Sequence, residues 1–291
     1  MTNPADPAIA APTASSEWPI PGLPATLAVH HLAVLGVARL LRDENATIHH
    51  AGATPVLRLD VAVTLDELVD TLTSRALHEV THPPVPIQTN QRARVNTYLR
   101  DTWGSPDPAF GLRIDSSAVA DPTKYVQGTR FAAAVNHPLG TKMKAFSTGG
   151  DDHSHYAPMV RTLFEDAAPH ATPRKGSLLG FSPTDDSEDV RYSGETKYLY
   201  EAAELLAGAV VAYLPPRATF PDPDHAGTHR WLRWHLNTTS MAWTALLALA
   251  RRPLVPGLVT YEAELKAGSS GKYYRYTLAM PVTPRSNRIM P

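Results

Sequence analysis

The run TLAVHHLAVLGVARLLRDE at positions 26–44 constrains this chain more than any other stretch. Leu27, Leu32, Leu35, Leu40 and Leu41, with Val34 and Val37, spread over most sides of a helix and not along one stripe. Such a helix must be covered on most sides, so the rest of the chain has to supply packing layers around it. Arg42-Asp43-Glu44 closes it. His30 and His31 lie inside it, where a histidine is more readily a core or boundary residue than a ligand.

The covering layers begin at once. ATIHH (46–50) and PVLRLDVAV (55–63) are two β-like runs joined by the turn-prone Ala51-Gly52, which predicts a hairpin. Thr64 with Glu67 three residues on is a capping box, and Leu65, Leu68, Val69, Leu72 and Leu77 give the helix behind it an inward face. That helix runs to about Val80, and Pro83-Pro84 ends it. From 81 to 158 Pro, Gly and Asn recur, and only FGLRI (110–114) and TRFAAAV (129–135) read as short strands. Helical periodicity returns in MVRTLFEDA (159–167), ETKYLYEAAELLAGAVVAYL (195–214) and THRWLRWHLNTTSMAWTALLALARR (228–252). LVTYEAELKA (258–267) and KYYRYTLAMPV (272–282) flank Gly268-Ser269-Ser270-Gly271 as a second hairpin.

The fold class predicted is α+β, an N-terminal helix, β-hairpin and helix unit with a mainly helical C-terminal half that ends in a β-hairpin. Residues 1–24, rich in Pro, Ala and Ser, have no basic start and no continuous apolar stretch, and read as a flexible tail and not a signal peptide or anchor. Residues 25–158 form a mixed region with long loops and 159–291 a mainly helical region; the two can be one continuous domain. At 43% hydrophobic and 19% charged the chain has material for a core and is not compositionally disordered. A net charge of −1 imposes no global field toward a polyanion or a membrane. The absence of cysteine removes disulfides, thiolate catalysis and Cys-type zinc sites, and fits a cytoplasmic setting. The longest apolar helices, 27–41 and 236–250, are short of the roughly 20 residues a membrane span requires, so no membrane partner is expected.

One loop concentrates chemistry: KMKAFSTGGDDHSHY at 142–156. Asp151, Asp152, His153 and His155 are ligand types for zinc or manganese, and a hydrolase would complete the site with His225 or His229. The alternatives are a loop that handles nucleic acid, with Lys142 and Lys144 as its cations, and an ordinary polar loop. His225, His229 and His235 cannot all share one helical face, and they read as exposed histidines near a helix start. HExxH, GxSxG, GxxxxGK[ST] and GxGxxG are absent, so no catalytic residue is assigned and no cofactor is expected.

Basic residues are unevenly placed. From Arg230 onward there are nine Lys or Arg (230, 233, 251, 252, 266, 272, 275, 285, 288) against two acids, Glu262 and Glu264. Lys272 and Arg275 alternate with Tyr273, Tyr274 and Tyr276, and Arg230 and Arg233 with Trp231 and Trp234, a mixture of phosphate-binding cations and stacking rings. Arg251, Arg252, Arg174 and Lys175 extend the set of candidate nucleic-acid contacts. The bland counterpart is that the Trp residues are core anchors and the cations a solvated face.

Leu32, Leu35, Gly36, Val37, Arg39, Leu40 and Leu41, followed by the strand from Leu57 to Val63, resemble the opening of CRISPR-associated type I effector proteins, nearest to the large-subunit (Cas8-like) members of the Cascade complex. The resemblance implies a non-catalytic subunit of an RNA-guided bacterial antiviral complex, contacting guide RNA or target DNA backbone beside other protein subunits, with sequence read by base pairing. A metal-dependent hydrolase using Asp151, Asp152, His153 and His155, and a scaffold that binds another protein through its apolar helices, are the other two classes.

Overall fold

The computed structural model describes residues 15–81, 153–167, 172–175, 196–211, 231–250, 252, 255–267, 274–276 and 278–282. The apolar run becomes α1 (Ala28–Leu40), and all thirteen of its residues are buried, as its side-on-side hydrophobicity requires. The hairpin after it is β2 (Thr47–Ala51) and β3 (Thr54–Leu59), antiparallel, with Ala51 opposite Thr54. Gly52 turns the chain at φ 66°, a left-handed conformation that glycine adopts without Cβ strain. β3 stops at Leu59, short of the expected Val63. The capping box forms as read: Thr64 N–H donates to Glu67 Oε2 at 2.8 Å and Glu67 N–H to Thr64 Oγ1 at 3.2 Å, opening α2 (Leu65–Thr81).

Three further helices complete the five among the described residues: α3 (His153–Glu165), α4 (Glu201–Val211) and α5 (Trp243–Ala250). α4 runs parallel to α1, since His30, Gly36 and Arg39 meet Tyr200, Leu206 and Ala209 in the same order. Their backbones touch at Gly36, where an added Cβ would stand 2.0 Å from the Leu206 carbonyl oxygen. Arg39, buried, donates at 2.9 Å to the Ala209 carbonyl in the last described turn of α4. Its other nitrogen holds Glu79 of α2 at 2.9 Å. Arg75 closes α1 in the same way, 2.6 Å from the Leu40 carbonyl and paired with Glu44.

The strands make three antiparallel groups. β1 (Ser16–Pro19) joins the hairpin, and β7 (Met241–Ala242) closes the other edge, in the order β1-β3-β2-β7. A second sheet has β10 (Met280–Pro281), β8 (Val259–Ala267) and β6 (Trp231–Leu236) in that order, with β9 (Tyr274–Tyr276) also paired to β8. β4 (Thr172–Lys175) and β5 (Thr196–Leu199) form a separate ribbon. One core holds residues from Ile20 to Ala250, so the mixed and mainly helical regions share it. A smaller core of Ala25, Ala28, Trp234, Leu236 and Ala263 seats the second sheet.

The mixed α+β class and the closing strand pair stand. Four local expectations do not. The tail is structured from residue 15: Ser16–Pro19 pairs with β3, and Ile20, Leu23 and Ala25 are buried because they cap the core over α1. Residues 1–14 lie outside the described residues. Residues 153–158, read as irregular, are the first turns of α3, with Pro158 inside the helix, past its first turn. Residues 196–199, read as helix, are β5. Residues 231–236 are a strand, with helix resuming only at Trp243. The period there is two: Leu232, Trp234 and Leu236 lie opposite Ala263, Tyr261 and Val259, and Arg233 and His235 take the alternate positions.

Candidate nucleic-acid interface

The cations nominated from sequence divide into three groups. Lys142, Lys144, Arg230, Arg251, Lys272 and Tyr273 lie outside the described residues, as do Asp151, Asp152, His225 and His229. Arg233 is engaged within the second sheet: its Nε donates to Glu262 Oε2 at 2.8 Å, and both side chains are largely covered. This corrects its reading as a free phosphate contact, because the two residues are register partners and neutralise each other. Trp234, beside it, is fully buried and donates Nε1–H to the Ala25 carbonyl at 2.9 Å, so it anchors the core and offers no face to a base. Arg252 is exposed, and its carbonyl holds His235.

The remaining cations fall into cross-strand pairs. In the β4–β5 ribbon Arg174 stands opposite Lys197 and Lys175 opposite Thr196. In the β8–β9 ribbon Lys266 stands opposite Arg275, with Ala267 opposite Tyr274 and Leu265 opposite Tyr276. Directly opposed residues share a face of the sheet, about 5 Å apart at Cβ, and two like charges there repel. An anion between them converts repulsion into two attractions. Lys197 was missed because nothing in its own segment, read as helix, shows which residue a strand will pair with.

The Asp/His loop resolves differently. His153 and His155 occupy the first turn of α3 and diverge: Nε2 of His153 lies 2.9 Å from Asp70 of α2, and Nε2 of His155 lies 3.6 Å from Glu201 of α4. Two positions apart on a helix point roughly 200° apart, so the pair expected to converge on a metal is parted. Among the described residues no group of three His, Asp or Glu is arranged to hold a metal ion.

A second histidine group was not anticipated. His31 of α1, His50 of β2 and His235 of β6 line one small cavity with Asn237, over a floor of Val34, Leu35, Leu246, Leu249 and Ala250. Its volume, about 10 Å³, is roughly the space one water requires. Asn237 Nδ2 donates to the Ile48 carbonyl at 2.6 Å and to the Thr239 carbonyl at 3.0 Å. Its Oδ1 therefore accepts, and His50 Nδ1–H donates to it at 2.9 Å. His235 donates Nε2–H to the Arg252 carbonyl at 2.9 Å and accepts at Nδ1 from Thr260 Oγ1 at 2.8 Å. His31 stacks on Trp234, rings 5.4 Å apart and 13° from parallel. Burial, with His50 and His235 adding repulsion, pushes His31 down to about 3. Burial also lowers His50 and His235, and brings His30, whose Nδ1 is 3.0 Å from the Pro24 carbonyl, to about 4.

Compared with known proteins, the chain matches no family model, no curated protein and no solved structure. Among the described residues no helix is long and apolar enough to cross a membrane.

Proposed function

We propose that this protein binds nucleic-acid backbone, as a non-catalytic subunit of an RNA-guided CRISPR effector complex that contacts guide RNA or target DNA. The observation that carries the binding is the pair of like-charged registers, Arg174 opposite Lys197 and Lys266 opposite Arg275. Like charges directly opposite one another destabilise a strand pair, and a phosphate bound there would offset that. The one cation whose side-chain contacts are seen in the same sheet, Arg233, faces a carboxylate, which is what a ribbon without an anionic partner would be expected to carry. The placement in an effector complex is supported by the resemblance of the α1 to β3 segment, whose residues Leu32, Leu35, Gly36, Val37, Arg39, Leu40 and Leu41 form the buried helix at the centre of the core.

Salt dependence tests the reading without knowledge of a target. Replacing Lys266 and Arg275 together by Ala should lower the slope of log K against log salt by about 1.4 for a single strand, near 0.7 for each phosphate contact removed. Tyr274→Leu should leave the slope unchanged, because ring contacts release no counterion. An anisotropy titration of the full chain against a generic single-stranded oligonucleotide at several salt concentrations reads both. Equal affinity and slope in wild type and double variant would remove the β8–β9 ribbon from the interface.

A further inference from the structure

The cavity of His31, His50 and His235 lies at the seam between the two sheets. β6, in the second sheet, passes through Asn237–Ser240 straight into β7, the edge of the first. Asn237 joins them: its carbonyl accepts from the His50 N–H at 2.7 Å, and its side chain binds His50 and the Ile48 carbonyl of β2. Among the described residues, the charged groups that neighbour the seam histidines are basic or paired, and Tyr261 of β8 stacks on Trp234. His49 neighbours His50 on β2, Arg233 neighbours His235 on β6, and Glu262 on β8 is held by Arg233 at 2.8 Å. α1 contributes His31, and α5 only Leu246, Leu249 and Ala250. None of the described residues that line the cavity is acidic.

We infer that this seam is an acid-sensitive joint: protonation of the three-histidine cluster releases the second sheet from α1 and the first sheet while the α1–α4 core stays folded. The released contact is the smaller one. The second sheet is seated through five buried residues, of which Trp234 is the only large ring, whereas α1 and α4 are locked by backbone contact at Gly36 and by the Arg39 hydrogen bonds. A proton on any one of the three imidazoles sets a charge beside two others, with no carboxylate among the described residues of the lining to receive it. In the opened seam each histidine regains its ordinary affinity for protons. Between pH 6.5 and the lowered folded-state values the open population therefore rises about tenfold per pH unit for each histidine released. The joint needs no bound nucleic acid and stands apart from the function proposed above.

Hydrogen exchange of the full chain, followed by peptide mass spectrometry between pH 7.5 and 5 and corrected for the intrinsic pH dependence of exchange, tests it. The amide of His50, which donates to Asn237 across the seam, should lose protection as pH falls while those of α1 and α4 keep theirs. His31→Phe, which keeps a ring against Trp234 and removes one proton, should flatten the seam's response by about tenfold per pH unit. Simultaneous loss of protection in both sets would mean ordinary acid unfolding and would overturn the inference. So would a seam that stays protected at pH 5. Should His31→Phe fail to fold, the wild-type comparison of the two amide sets still decides.

Discussion

Gly36 sits where two parallel helices meet without side chains between them, and the contact leaves no direction in which a methyl group could go. A Cβ there would fall 2.0 Å from the Leu206 carbonyl oxygen and 2.7 Å from its carbon, both backbone atoms that can move only if a helix moves. Gly36→Ala should therefore cost more than the roughly 0.5–1 kcal/mol that alanine gains over glycine in a helix, and reach about 3 kcal/mol or more. Urea unfolding of the purified variant measures it; a variant as stable as wild type would show that α1 and α4 do not touch at this point. Arg39 follows the same logic with the opposite chemistry. A residue that reads from sequence as the first charge on an apolar helix is buried, because α4 presents it with the Ala209 carbonyl and α2 with the Glu79 carboxylate. His30 is comparable: adjacent in sequence to His31, it turns to the Pro24 carbonyl and Tyr200 while His31 turns to Trp234 and the seam.

At the scale of elements, signals that act within a few residues came through intact and those that depend on a partner did not. The capping box is the clearest local case, since Thr64 and Glu67 satisfy each other's N–H groups at the helix start whatever lies around them. Thr64→Ala should cost about 1 kcal/mol, visible as a lowered urea midpoint with an unchanged slope. The hydrogen bonds from Thr64 also hold the Glu67 carboxyl below its usual range, so this contribution is present above the ordinary glutamate value and fades as pH falls through the lowered one. WLRWHL shows the reverse. It carries apolar residues at both helical and strand spacing, and becomes β6 because β8 supplies Tyr261 and Ala263 against Trp234 and Leu232. The N-terminal segment follows the same rule: SEWP is too short to mark a strand by its own pattern, and it forms one where it pairs with β3 and Trp18 packs against the core.

For the molecule as a whole, acid is the predicted weakness. His30, His31, His50 and His235 are all buried and all bind protons less readily folded than unfolded. Their contribution to stability is complete above pH 6.5 and declines as pH falls toward about 4 for His30 and about 3 for His31. Each takes roughly 1.4 kcal/mol per pH unit within its window. His30→Asn, which can still donate to the Pro24 carbonyl, should reduce the slope of unfolding free energy against pH by that amount between 6.5 and 4.5; an unaltered slope would mean that His30 titrates normally in the fold. The α+β class, α1, the hairpin, α2 and the final strand pair were legible in the sequence because periodicity, turns and caps are properties of neighbours along the chain. The sharing of one core between the two regions, the neutralisation of Arg233, the parting of His153 from His155, the like-charged registers and the histidine seam were decided only by tertiary structure. Each joins residues from separate elements, and a strand or helix carries in its own sequence the face it will bury but not the identity of what it will bury it against.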